Sequence, residues 1–138
     1  MQSILVSLSL AVALFISSAA LGSESGQVDQ ADRLWVERHD PSRALQALEL
    51  LRTACQDHTD SYALHWRLSR LCFWLADGTA DTGRKRTIGK EGWDAGERAI
   101  ALNPSGIEGY YWAALTMGEH AKGLSIPEAM AANLEPRF

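Results

Sequence analysis

Residues 89–104 read GKEGWDAGERAIALNP, and this stretch decides the fold class. Gly92, Gly96 and Ala99 follow an i, i+4, i+7 spacing, which places three small residues on one face of a helix. A face of small residues allows a neighbouring helix to approach closely. Asn103-Pro104 then supplies a stop signal, because proline cannot continue a helix. The stretch therefore predicts a long helix that packs closely against an antiparallel neighbour.

Apolar residues recur at helical spacing on both sides of this stretch, and strand-like alternation is almost absent. Asp40-Pro41 and Asp60-Ser61 provide N-terminal caps, Ser105 is expected to cap a later helix, and Asp77–Arg84 is predicted to be a loop. The predicted helices are Val28–Arg38, Pro41–Gln56, Ser61–Ala76, Lys85–Leu102, Gly106–His120 and Ile126–Asn133. Helices joined by short turns are typical of antiparallel hairpins, so the fold class is predicted to be all-α.

The spacing of small and apolar residues also repeats along the chain. Ala44, Leu48 and Leu51 have the same spacing as the small residues at 92–99, which lie 48 positions later. Residues 99–104, AIALNP, resemble the closing run of a tetratricopeptide helix pair, a repeat of about 34 residues. We therefore predict that residues 23–138 form a short right-handed α-solenoid of about three degenerate tetratricopeptide-like helix pairs. A simple helical bundle is the alternative.

The N-terminal segment differs sharply from the rest of the chain. Residues 1–22 contain no Asp, Glu, Lys or Arg, and they end in small residues that fit signal-peptide cleavage after Ala20 or Gly22. The start of the segment lacks Lys and Arg, and its uncharged run is just long enough to span a bilayer, so an uncleaved anchor or a buried helix are alternatives. We predict a signal peptide over residues 1–22 and a periplasmic or secreted protein. The membrane is involved only if the segment stays uncleaved.

Composition and motifs argue against several function classes. The net charge of -4 disfavours a nucleic-acid partner. Cys55 and Cys72 are predicted to lie at different heights on adjacent antiparallel helices, which favours two separate buried thiols over a disulfide. No spacing of His, Cys, Asp and Glu suits a metal site, and no catalytic constellation is evident. We therefore expect no metal, no cofactor and no enzymatic activity.

Three residues of the third predicted helix form a candidate binding site. Arg67, Arg70 and Trp74 share a face at i, i+3 and i+7, apart from the apolar stripe of that helix. Two guanidinium groups and an indole suit a carboxylate-bearing ligand or an acidic peptide. The alternative is that both arginines are solvated or pair with carboxylates from a neighbouring helix.

The fifth predicted helix is apolar on nearly every side. Such a helix is expected to lie between neighbours, and any uncovered face would form an interface. Tyr111 and Trp112 are the candidate residues for lining a hydrophobic groove there. Packing in the core is the alternative reading for both rings.

Five motifs between His65 and Ala129 carry a more specific resemblance. They are HWRLSR at 65–70, GKEG at 89–92, AIALNP at 99–104, EGYYW at 108–112, and Gly118-x4-Gly123-Leu-Ser-Ile126. This pattern resembles two related tetratricopeptide-like families. One is the T-component of bacterial TRAP transporters, a periplasmic helical-repeat protein. The other is the regulator of microtubule dynamics family.

The resemblance implies a periplasmic scaffold that mediates protein–protein interaction in TRAP-type solute uptake. A periplasmic solute-binding protein is the expected partner, and no lipobox cysteine follows the N-terminal segment. The chain stops at Phe138, where the resembling proteins continue, which predicts a C-terminally truncated repeat domain. A carrier that binds a small organic ligand in the concave groove is the alternative function.

Overall fold

The computed structural model describes residues 22–132 and 134, and this part of the chain contains helices and no strand. The helices are α1 (Glu24–Val36), α2 (Pro41–Asp57), α3 (Tyr62–Asp77), α4 (Thr82–Leu102), α5 (Ile107–Lys122) and α6 (Ile126–Ala131). The predicted all-α fold class is therefore confirmed. The predicted signal peptide over residues 1–22 falls almost entirely outside the described residues. No helix of the described part is both long and apolar enough to cross a membrane.

Side-chain caps explain where most helices begin. Asp40 and Ser61 accept hydrogen bonds from Ser42 N at 2.8 Å and Leu64 N at 3.2 Å. Ser23 caps α1 in the same way, so this helix begins four residues earlier than predicted. Each cap satisfies a backbone N–H that has no partner within the helix.

Two predicted boundaries around α4 and α5 are wrong. The predicted loop Asp77–Arg84 is shorter, because Asp81 Oδ1 accepts from Arg84 N at 2.9 Å and starts α4 at Thr82. Ser105 does not cap α5: Gly106 occupies that position, without a side-chain cap. The C-terminal helix ends at Ala131, and the predicted end at Asn133 lies outside the described residues.

The helices pack both with their neighbours along the chain and with alternate helices. Each of α1 to α4 contacts the next, and α1 also contacts α3, as α3 contacts α5. The core lies between α1, α2, α3 and α4, with Leu64 and Leu71 of α3 almost inaccessible to solvent. The predicted stripe of α3 is confirmed at Leu64, Leu68 and Leu71, whereas Leu75 is half-buried against it. The short α6 contributes no buried residue.

Glycines bring α4 and α5 unusually close together. A Cβ atom on Gly96 would lie 2.7 Å from the Cα of Ala113, and one on Gly92 would lie 2.6 Å from the Cγ2 of Thr116. Both distances are shorter than any ordinary contact between carbon atoms. The close helix approach predicted from the small residues at 92–99 is therefore present, and it requires glycine.

A buried carboxylate ties three helices together. Glu119 of α5 is 2% exposed and accepts from Lys85 Nζ of α4 at 3.1 Å and also from Lys122. The same Lys85 ammonium donates to the carbonyl of Ala76 at the end of α3, at 2.8 Å. The ion pair thus fixes the α3–α4 turn against α5.

Candidate functional site

Arg67 and Arg70 both bind one carboxylate from α1. Arg67 donates to Asp32 through Nε at 3.0 Å and through a terminal nitrogen at 2.7 Å, and Arg70 donates at 3.0 Å. The two arginine side chains are only 14% exposed. Of the alternatives that the sequence left open, pairing with a neighbouring helix is the one observed.

The pKa values of Asp32 and Arg70 are both shifted by their neighbours in this cluster. The hydrogen bond from Arg67 lowers the pKa of Asp32 below its usual value of 3.8, with Arg70 acting in the same direction and burial opposing both. Burial lowers the pKa of Arg70, Asp32 opposes that shift, and the positive charges of Arg67 and Arg38 add to it. Two arginines therefore share a single carboxylate and a third lies near Arg70, so these four groups together carry a net positive charge.

Arginines and tryptophans of α1 and α3 alternate around this cluster. The guanidinium carbon of Arg70 lies 4.9 Å from the centre of the Trp66 ring and 4.1 Å from that of Trp35. The guanidinium carbon of Arg38 lies 4.2 Å from the centre of the Trp35 ring and 4.8 Å from that of Trp74. These distances are within the range of cation–π attraction. Trp74, the third predicted site residue, is thus connected to Arg70 through Arg38 and Trp35.

An open cavity of about 430 Å³ lies beside Trp74, and Asp32 does not line it. It is bounded by the α1–α2 turn, the start of α2, the end of α3 and the start of α4. Arg38, His39 and Arg84 bring nitrogen-bearing side chains to its wall, with Leu45 and Leu75 as apolar components. The ring of His39 stands edge-on to Trp74, with 5.0 Å between the ring centres. Neither Arg67 nor Arg70 lines this cavity.

Tyr111 and Trp112 lie in a separate ring cluster. Their ring centres are 4.8 Å apart, and Trp112 also lies 5.9 Å from Phe73 of α3. Tyr111 is 56% exposed, whereas Trp112 is half-buried between it and α3. The five predicted site residues therefore fall into two groups: Arg67, Arg70 and Trp74 at one place on α3, and Tyr111 and Trp112 at another on α5.

Sequence reasoning missed Asp32, Arg38 and His39. Asp32 and Trp35 are spaced at i, i+3 on α1, so a shared face was readable from the sequence. Nothing in the local pattern indicates that this face meets Arg67 and Arg70, because the partners are 35 and 38 residues apart. Arg38 and His39 lie in the turn that follows α1, and in the sequence they look like an ordinary polar helix end.

Neither of the two cysteines has the environment of a reactive thiol. Cys55 and Cys72 are both free, as predicted, although Cys55 is only half-buried. Burial raises the pKa of the Cys55 thiol to about 12 and that of Cys72 further in the same direction. Thiols with raised pKa values are poor nucleophiles. Within residues 22–132 and 134, no group of three or more His, Cys, Asp or Glu side chains is placed to hold a metal ion.

Comparison with known proteins identifies one family. The model of the family described as "Regulator of microtubule dynamics protein 1-3" matches residues 27–133 of the chain. The match begins within α1 and continues past α6, so it includes both ring clusters and the cavity. No curated protein and no solved structure matches the chain. Since the family model covers well over half of its residues, the chain belongs to the regulator of microtubule dynamics protein 1-3 family.

Proposed function

We propose that the protein is a non-catalytic helical-repeat scaffold that binds another protein. In this proposal α1/α2, α3/α4 and α5/α6 are three degenerate tetratricopeptide-like pairs, stacked as a short right-handed solenoid. The alternate contacts of α1 with α3 and of α3 with α5 support the stacking, since repeats of this kind contact their neighbours in sequence. Membership of a helical family supports it as well.

The observation that carries the proposal is the layer formed by α1, α3 and α5. Salt bridges from Asp32 fix α1 to α3, and Tyr62 of α3 donates to Glu108 of α5 at 2.8 Å. The layer therefore presents its aromatic side chains in a fixed arrangement. A fixed surface costs less conformational entropy on binding than a mobile one, and aromatic and arginine side chains dominate the energy of protein interfaces.

We further propose that the scaffold is exported and serves TRAP-type solute uptake, with a periplasmic solute-binding protein as its partner. The uncharged segment at residues 1–22 supports export. The motifs at 65–70, 99–104 and 108–112, which resemble the TRAP T-component, support the partner class. An exported protein would not meet the microtubules named in the family description, so we favour a different partner for this member.

Titration of the purified chain with the solute-binding protein from its gene neighbourhood tests the proposal. We expect saturable binding by calorimetry, weakened about tenfold or more by Tyr111→Ala, because truncation of an exposed interface tyrosine removes contact area without opening the core. Met130→Ala is the matched control, since Met130 is 80% exposed on α6, outside the α1, α3 and α5 layer. No binding, or equal losses in both variants, would contradict the scaffold proposal.

A ligand carrier is the second candidate function, and the cavity beside Trp74 is the observation that favours it. At the binding site predicted from the sequence, Arg67, Arg70 and Trp74, a ligand would have to displace Asp32 from two arginines. The cavity requires no such displacement. A carrier function would therefore use Trp74 together with the residues around the cavity.

A further inference from the structure

The cavity beside Trp74 is unusual in the charge of its wall. Arg38 and Arg84 bring two guanidinium groups to this wall, next to the His39 ring, and no Asp or Glu side chain lines the cavity. Within residues 22–132 and 134, neither Arg38 nor Arg84 has a carboxylate within salt-bridge distance. Most other arginines of the described chain have one, among them Arg43, Arg52, Arg67, Arg70 and Arg86. Unneutralised guanidinium groups at one place create a local positive potential that attracts anions.

Arg38 is held in position and still has hydrogen-bonding capacity. One terminal nitrogen donates to the carbonyl of Trp35 at 2.9 Å, and the group lies between the Trp35 and Trp74 rings. Its Nε–H is buried and has no acceptor among the described residues. A guanidinium stacked on indoles also binds carboxylates in a fixed orientation.

The rest of the wall is apolar and suits a carbon skeleton. Pro41 and Leu45 come from the first turns of α2, Leu75 from the last turns of α3, and Trp74 presents its ring. Leu45 is 51% exposed, so its side chain is accessible to a ligand in the cavity. The volume of about 430 Å³ lies within the range of small-molecule sites, which combine mostly apolar walls with a few polar anchors.

We propose that this cavity binds a small organic carboxylate with an aromatic or branched apolar group. Arg38 and Arg84 hold the carboxylate, His39 lies beside it, and Trp74 and Leu45 contact the apolar group. The proposal rests on the carrier function and names its ligand class. It is independent of the scaffold function, because the cavity lies at the α1–α2 and α3–α4 turns and Tyr111 does not line it. It also differs from the sequence-based site, in which Arg67 and Arg70 were the anion ligands.

Titration of the purified chain with four probes tests the proposal: benzoate, the branched 4-methylpentanoate, benzyl alcohol and inorganic phosphate. We expect benzoate to bind with a Kd of about 1 mM or tighter and to shift the indole N–H signal of Trp74. The Trp74→Phe variant assigns that signal. Benzyl alcohol and phosphate each supply only half of the proposed ligand, so both should bind about tenfold more weakly or not at all.

Two variants of α2 separate the cavity from general charge effects. Leu45→Glu places a negative charge on the cavity wall and should weaken benzoate binding about tenfold, because like charges repel. Gln46→Glu is the matched control, as it adds the same charge one position away on an exposed residue that does not line the cavity. Circular dichroism should show equal helix content in both variants and the parent chain.

Several outcomes would overturn the proposal. Absence of binding by both carboxylates at about 10 mM would show that the cavity is not a carboxylate site. If benzyl alcohol binds as tightly as benzoate, the carboxylate is irrelevant to binding. If phosphate binds as tightly as benzoate, the apolar group is irrelevant. Equal weakening by Leu45→Glu and Gln46→Glu would place the ligand elsewhere. Binding of the partner protein should be unchanged in Leu45→Glu, so failure of the two functions can be told apart.

Discussion

Asp32 is the single carboxylate that keeps two partly buried arginines of α3 in place. Its position on α1 makes it a link between α1 and α3. The link depends on charge: without the carboxylate, Arg67 and Arg70 would repel each other and Arg38 nearby. This one residue therefore controls both the packing of α1 and the order of the surrounding aromatic rings.

We predict that Asp32→Asn lowers the free energy of unfolding by about 1–2 kcal/mol at neutral pH, after solvent screening of a partly exposed group. Because the folded state lowers the pKa of Asp32 below 3.8, its stabilising effect is present above that pH and is lost as pH falls further. The difference between parent and variant in urea denaturation should therefore shrink as the pH is lowered towards about 3. Asp94→Asn, which breaks an exposed pair with Lys90, is the control and should have little effect. A difference independent of pH would contradict the assignment.

Glu119 is the second residue whose charge the fold requires. Burial opposes its ionisation, but Lys122 and Lys85 outweigh that effect and keep its pKa below the ordinary value. Glu119→Gln preserves the shape and leaves Lys85 without its anion. We expect a loss of about 2–4 kcal/mol in the free energy of unfolding, measured by urea denaturation.

The control for Glu119 is Glu49→Gln. Glu49 pairs with Arg52 one helical turn away, and its side chain is 75% exposed. An exposed pair contributes little, so this variant should stay within about 0.5 kcal/mol of the parent. Equal effects of the two variants would mean that the buried ion pair contributes no more than a surface one.

At the scale of the helical element, the contact between α4 and α5 distinguishes two kinds of glycine. Alanine at an ordinary position within a helix is more stable than glycine by about 0.5–1 kcal/mol. Gly118 of α5 is such a position, because nothing lies within 4 Å of an added Cβ. Gly96 of α4 is the opposite, since its added Cβ would meet the backbone of Ala113 at 2.7 Å.

We therefore predict effects of opposite sign for the same substitution. Gly96→Ala should lower the free energy of unfolding by about 1–3 kcal/mol, because the helices must separate or strain. Gly118→Ala should raise it by about 0.5–1 kcal/mol through helix propensity alone. Thermal denaturation monitored by circular dichroism measures both. A stabilising effect of Gly96→Ala would mean that α4 and α5 lie farther apart than described.

At the scale of the whole molecule, side-chain contacts join helices that alternate along the chain. Asp32 connects α1 to α3, Tyr62 connects α3 to α5, and a bidentate pair between Arg52 and Glu91 connects α2 to α4. Cys72 lies in the core among these helices and is inaccessible to solvent. Its thiol can react only when the helices separate.

We predict that Cys72 reports the opening of the whole molecule. In a Cys55→Ser variant, the rate of labelling by a disulfide reagent should be very low in buffer and rise in parallel with global unfolding as urea is added. Free cysteine under the same conditions provides the reference rate. Rapid labelling of the native chain would show that local motion exposes Cys72 without separation of the helices around it.

The helices themselves were predictable because their signals are local. The caps at Asp40 and Ser61 and the stripe of Leu64, Leu68 and Leu71 depend on residues within a few positions of one another. The start of α4 was misplaced, because Asp81 and its glycine-containing first turn look like a loop until the capping hydrogen bond is formed. The close approach of α4 and α5 followed from the spacing of Gly92 and Gly96.

The sequence alone therefore determined an all-α chain, its helix order and the small face of α4, since helical periodicity and capping act over a few residues. Only the tertiary structure decided that Asp32 binds Arg67 and Arg70, and that Arg38, His39, Trp74 and Arg84 meet around a cavity. These contacts join residues up to about 46 positions apart along the chain, and their geometry depends on how whole helices pack. Spacing within a helix shows which residues share a face, whereas helix packing decides what that face meets.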